Sequence, residues 1–207
     1  SVGRLWVHVR NGRESASFEY SKSWLAHPEK FALEPALQLT EGAFHTNINA
    51  TFGAIGDSAP DRWGRVLMRR AENHKAKNEN STPKTLFEID YILGVNDEAR
   101  QGSLRFSTQA KPNIFLAPKN KAAIPPLIEL PKLMSATERF TQDKETAEDL
   151  RLLLAPGSSL GGARPKASIC DQDGSLAIAK FGNKGDDFNV VVWEAVTLEL
   201  AKKAGIQ

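Results

Sequence analysis

Cysteine is almost absent from this chain. The single thiol, Cys170, excludes an internal disulfide and fits a reducing cytosol. No apolar run approaches 18 residues and no secretory pattern opens the sequence, so no membrane association is expected and the localisation expected is cytoplasmic. Charge of one sign is also lacking. Twenty-seven basic against 25 acidic residues leave a net +2, too little for a dedicated nucleic-acid binder. The four histidines (His8, His27, His45 and His74) are scattered without ligand spacing, so no metal site is expected within the chain. What remains is an ordinary globular composition, 41% hydrophobic and 25% charged, over 207 residues, enough for one large domain or two small ones.

The patterning predicts an α+β fold with a β-rich N-terminal part. Residues 4–9 and 15–20 alternate apolar and polar around Asn11-Gly12, which predicts a β-hairpin. Short strands are expected near 32–33 and 36–39, separated by Pro35. A helical pattern runs over 48–71 with a break near Pro60, a restart for which Ser58 is the candidate N-cap, and an end at the polar residues from Asn73. A helix over 83–93 closed by Gly94 and a strand over 101–107 follow. Prolines and lysines over 108–126 predict a surface connection. Helices over 127–136 and 145–154, strands over 166–170 and 176–181 joined by an Asp173-Gly174 turn, and an amphipathic helix over 190–204 complete the chain. The division expected is an N-terminal subdomain over 1–110, a connection over 111–126 and a nucleotide-binding lobe over 127–207.

The chemistry concentrates in Pro156-Gly157-Ser158-Ser159-Leu160-Gly161-Gly162-Ala163-Arg164-Pro165-Lys166. Glycine lets backbone amides approach an anion, and successive amides with a lysine at their edge form an anion-binding nest. Such loops are often only tight turns. Here the loop runs into a strand rather than a helix, which rejects a Walker A motif. Lys180 lies in the apolar strand Ala177-Ile178-Ala179-Lys180-Phe181, and Glu194 interrupts the apolar face of the last helix. A lysine on such a strand can point into water and an acid on such a helix can be solvated. Together they predict a buried ammonium paired with a carboxylate, since burying an unpaired charge is costly. Ser158 and Ser159 lie where a hydroxyl could approach a terminal phosphate. A phosphoserine there would repel the nucleotide and expel the loop. Asp187-Phe188-Asn189 follows Lys180 too closely to be the kinase magnesium motif, and Cys170 is expected to serve packing.

Glycine loop, strand lysine and helix glutamate in this order resemble the nucleotide-binding lobe of a protein kinase. More narrowly, Ser159-Leu160-Gly161-Gly162-Ala163-Arg164-Pro165-Lys166 is similar to the Ser-x-x-Gly-Ala-x-x-Lys loop of the HipA family of bacterial serine/threonine kinases, the toxin half of type II toxin–antitoxin pairs. Residues 177–181 and 189–206 resemble that family's ATP-lysine strand and the helix after it. The segments around Asp57–Arg65 and 93–104 resemble its N-terminal subdomain, so the likeness runs through nearly the whole chain. It departs at Arg164-Pro165, where the family usually carries Gln-Glu or similar residues.

The resemblance implies that Gly161, Gly162, Ala163 and Lys166 cover the phosphates of ATP, that Lys180 holds the α- and β-phosphates with Glu194 as its supporting ion pair, and that Ser159 is autophosphorylated. It implies Mg2+ as a second cofactor, a protein substrate in translation, and a helix-turn-helix (HipB-like) antitoxin that connects the protein indirectly to operator DNA. The family's catalytic aspartate, its asparagine five residues on and its magnesium aspartate have no counterpart in 1–207. The expectation is therefore an N-terminal half of a longer kinase, inactive alone. The alternatives are a non-catalytic binding module docking an antitoxin or a partner kinase, and a globular domain whose glycine loop is a turn.

Overall fold

A computed structural model describes residues 1–97, 99–108, 114–116, 124–157 and 160–206. The architecture is α+β: among the described residues, seven α-helices and two small antiparallel sheets. These form two compact units that interleave along the chain. One comprises Ser1–Pro60 and Thr85–Pro118, the other Asp61–Lys84 and Lys119–Gln207.

The first unit begins with the expected hairpin, β1 (Gly3–Arg10) and β2 (Arg13–Tyr20). Asn11 and Gly12 both adopt positive φ, the requirement of a two-residue turn whose twist matches the strands. Every second residue of β2 from Ala16 (Ala16, Phe18, Tyr20) is buried, and the outer edge of β2 pairs with β3 (Ala43–His45). The sheet packs against Leu37, Phe52, Ile55 and Ile92. A short helix, α1 (Lys22–Leu25), is capped by Ser21, and α2 (Gly53–Gly56) is started by the Glu34 carboxylate, which accepts from the Ala54 N–H at 2.7 Å.

Three sequence expectations are corrected in this unit. No strand forms over 32–33 or 36–39. The Tyr20 hydroxyl donates to the Leu37 carbonyl and accepts from the Leu33 N–H, both at 2.9 Å, so a side chain replaces a ladder there, and the third strand lies at 43–45 instead. The helix expected over 83–93 is α4 (Glu88–Gly94). It starts late because the Glu14 carboxylate accepts the N–H groups of Glu88 and Ile89 at 2.6 and 2.9 Å. Residues 101–107 form no strand. Gly102 has positive φ, and Phe106 lies under the buried Arg100 guanidinium, which donates to the carbonyls of Ser58, Ile92 and Val95. Burial lowers the Arg100 pKa.

The second unit places α3 (Arg62–Asn78), α5 (Leu130–Thr141, preceded by the 3-10 turn Leu127–Glu129) and α6 (Ala147–Gly157) against the hairpin of β4 (Lys166–Cys170) and β5 (Leu176–Lys180). Trp63, Leu67, Leu133, Phe140, Leu153 and Ile169 are central to its core. The hairpin turn is the expected one, with Gly174 at positive φ and the Asp173 carboxylate accepting from the Ser175 N–H. The start of α3 is corrected: its N-cap is Asp61 rather than Ser58, which is buried in the first unit. The helix also runs past Asn73 to Asn78, with Ala76 buried. Helix α6 continues through Pro156 to Gly157, taking the first two residues of the glycine-rich stretch into its last turn.

Helix α6 is started by a reciprocal cap. The Thr146 N–H donates to Asp149 Oδ2 at 2.9 Å, and the Asp149 N–H donates to Thr146 Oγ1 at 3.1 Å. Arg139 from α5 donates Nε to the same carboxylate at 2.8 Å, and chiefly for that reason the Asp149 pKa falls to about 2. Because the folded pKa lies below the unfolded one, this stabilisation is present above about pH 4 and is lost as pH falls toward 2. Asp149→Ala should cost about 2 kcal/mol at pH 7, and less at pH 2.5. Urea midpoints at the two pH values check this, and an equal loss at both would contradict it.

The chain ends in α7 (Val190–Lys203), capped by the Asn189 carboxamide oxygen on the Val192 N–H and terminated by Gly205 at positive φ. The burial expected of an amphipathic helix is not found: no α7 residue is buried, and Val192, Trp193, Leu198 and Leu200 are all exposed. No helix among the described residues is long and apolar enough to cross a membrane.

Candidate functional site

The site lies wholly in the second unit, on the face of the β4–β5 hairpin opposite its core. Ala167, Ile169, Ala177 and Ala179 point into that core, so strand alternation turns Lys166, Ser168, Ile178 and Lys180 the other way. Lys166 and Lys180 are register partners, directly across the hairpin from each other. Two like charges so placed repel unless acceptors or an anion lie between them. Spacing in the sequence does not reveal this pairing, since it follows from the register of the Asp173-Gly174 turn.

Each lysine has an acceptor. Lys180 Nζ donates to Glu194 Oε1 on α7, so the expected ion pair is present. The ammonium is not buried, however. The Lys180 and Glu194 side chains are 49% and 36% exposed, because β5 is exposed on this face and α7 buries none of its own residues. Lys166 Nζ donates to the Gly161 carbonyl, folding the far end of the loop onto its own strand.

Ser158 and Ser159 lie outside the described residues, and with them the expectation attached to Ser159. From Leu160 the loop is defined. Leu160 is buried and anchors it, whereas Gly161, Gly162, Ala163 and Arg164 are exposed. Gly162 has φ +85°, a backbone conformation that favours glycine, and a Cβ there would lie 2.8 Å from the mobile end of Lys166.

Three residues that sequence reasoning did not single out fix this loop. Asp61 Oδ2 accepts from the Gly162 N–H at 2.7 Å. The Trp63 N–H donates to the Gly162 carbonyl at 3.0 Å, and its indole Nε1 donates to the Lys166 carbonyl at 2.8 Å. The start of α3 thus holds the loop at Gly162 and at Lys166, across about a hundred residues of chain. The third residue is Asp186, in the connection between β5 and α7. It accepts from the Asn183 N–H at 2.9 Å and from the Arg164 guanidinium, and these two donors hold its carboxyl below the usual range. The arrangement collects three cations (Arg164, Lys166, Lys180) and a glycine turn at one accessible surface, which suits recognition of a multiply charged anion.

Among the described residues no group of three or more His, Cys, Asp or Glu could hold a metal ion. No family model, no curated protein and no solved structure matches this chain.

Proposed function

We propose that this chain is the ATP-binding half of a HipA-like serine/threonine kinase toxin. The observation that carries the reading is the pair of lysines, Lys166 and Lys180, facing each other beside the Gly161-Gly162 loop with Glu194 bound to Lys180. In phosphoryl transfer the protein's work is positioning and charge neutralisation, and these are the groups that meet a triphosphate chain. Lys180 would take the α- and β-phosphates and Glu194 would aim its ammonium. The loop from Gly161 to Lys166 would cover the remaining phosphates, with Ser159 as the autophosphorylated residue. Mg2+ would neutralise phosphate charge on ligands from a second, catalytic lobe, so the chain alone would bind nucleotide without transferring phosphate. A protein of the translation apparatus as substrate, a HipB-like antitoxin as partner and, through it, operator DNA follow from the same resemblance.

Calorimetric titration tests the reading. ATP should bind the chain measurably and adenosine far more weakly, because the affinity resides in the phosphates. No heat with ATP at millimolar concentration would remove the proposal.

The exposed apolar residues of α7 favour a second reading, a non-catalytic module that docks an antitoxin or partner kinase.

A further inference from the structure

The groups that would meet phosphate are already engaged by the protein's own acceptors. The Gly162 N–H is held by Asp61, the Arg164 guanidinium by Asp186 and the Lys180 ammonium by Glu194, while Lys166 reaches the Gly161 carbonyl. Three side-chain cations thus sit among three carboxylates, each from a different part of the second unit. A site meant to attract a polyanion is locally close to neutral. The Asp61 carboxylate makes no side-chain cap to its own helix, although it occupies the N-cap position of α3. It reaches to the loop instead, so close that a Cβ on Gly161 would lie 3.3 Å from Asp61 Oδ2.

We infer that Asp61 and Asp186 are internal anions that occupy the loop's phosphate-binding donors and that a polyphosphate must displace. The inference rests on the nucleotide reading of this same site. A tethered carboxylate competes with a diffusing ligand because its effective concentration at the loop is high, and it also repels the ligand's charge. Glu194 differs from the other two. It contacts the lysine rather than the loop, so it orients Lys180 and is not part of the latch. The loop would exchange between a state latched to the start of α3 and a state closed over phosphate, with the two carboxylates setting the balance.

The test uses the whole chain, with Asp61→Ala and the double variant Asp61→Ala/Asp186→Ala. Hydrogen exchange of the Gly162 amide is followed by NMR, and affinity is measured for ATP and for inorganic tripolyphosphate. Exchange should accelerate in both variants. Affinity for both ligands should rise about threefold in the single variant and about tenfold in the double, the range expected of exposed charge contacts. Unchanged or weaker binding in folded variants would overturn the inference while leaving the nucleotide reading intact if the wild-type chain binds ATP. Unchanged exchange at Gly162 would overturn it as well. Faster exchange with no binding of either ligand by any form would overturn both the competition and the nucleotide reading, leaving only a structural latch.

Discussion

Trp63→Ala is expected to cost the second unit about 3–5 kcal/mol, a large share of what a domain of this size has to lose. Trp63 is 4% exposed and packs edge-on against Phe140, with ring centroids 5.0 Å apart, at the centre of the core formed by α3, α5, α6 and the hairpin. Its removal also leaves the Lys166 carbonyl without the indole donor. Gly157, so near the indole that a Cβ there would sit 3.0 Å from Trp63 Nε1, has no side chain with which to refill the space. Trp63→Phe separates the two losses. It keeps most of the apolar contact and drops the hydrogen bond, so it should cost about 1–3 kcal/mol. Urea denaturation followed by amide exchange in residues 61–84 and 124–206 measures both. Wild-type protection in Trp63→Ala would mean that this tryptophan is not the centre of that core.

The second large effect concerns binding. Lys180→Met should weaken ATP affinity about ten- to a hundredfold, the range for losing a charge-assisted contact to phosphate. Because the Lys180 side chain is half exposed, the substitution should leave the fold and its stability nearly unchanged. The variant also leaves Glu194 as an uncompensated negative charge beside the position proposed for the phosphates. Adding Glu194→Gln should therefore recover part of the loss. Equal affinities for the wild-type chain and Lys180→Met, both folded, would remove Lys180 from the site.

Much of the second unit was legible from local chemistry. The turn dipeptide Asp173-Gly174 and the alternation around it gave both strands of the hairpin within a residue, and an acid on the last helix was correctly paired with Lys180. Burial was the error. The same apolar residues that suggest a covered helix leave α7 exposed in this structure, and periodicity cannot say whether a partner surface exists. In the first unit, the residues between β2 and β3 misled because side-chain bonds from Tyr20 replaced backbone pairing. Asp61 and Asp186 escaped notice for another reason. Asp61 stands 101 positions from Gly162, and only the folded chain makes them neighbours.

The interleaving of the two units has a consequence for how this protein is made and cut. Helix α3 leaves the ribosome early, yet helix α6, against which it packs, and the rest of its core are synthesised only after the return excursion through 85–118. Until then its indole and Leu67 have no lasting cover, and the helix is exposed to chaperones and proteases. A truncation beginning at residue 119 would retain every lysine of the site and discard the helix that carries Asp61 and Trp63, so excising that lobe by linear boundaries should yield an insoluble product.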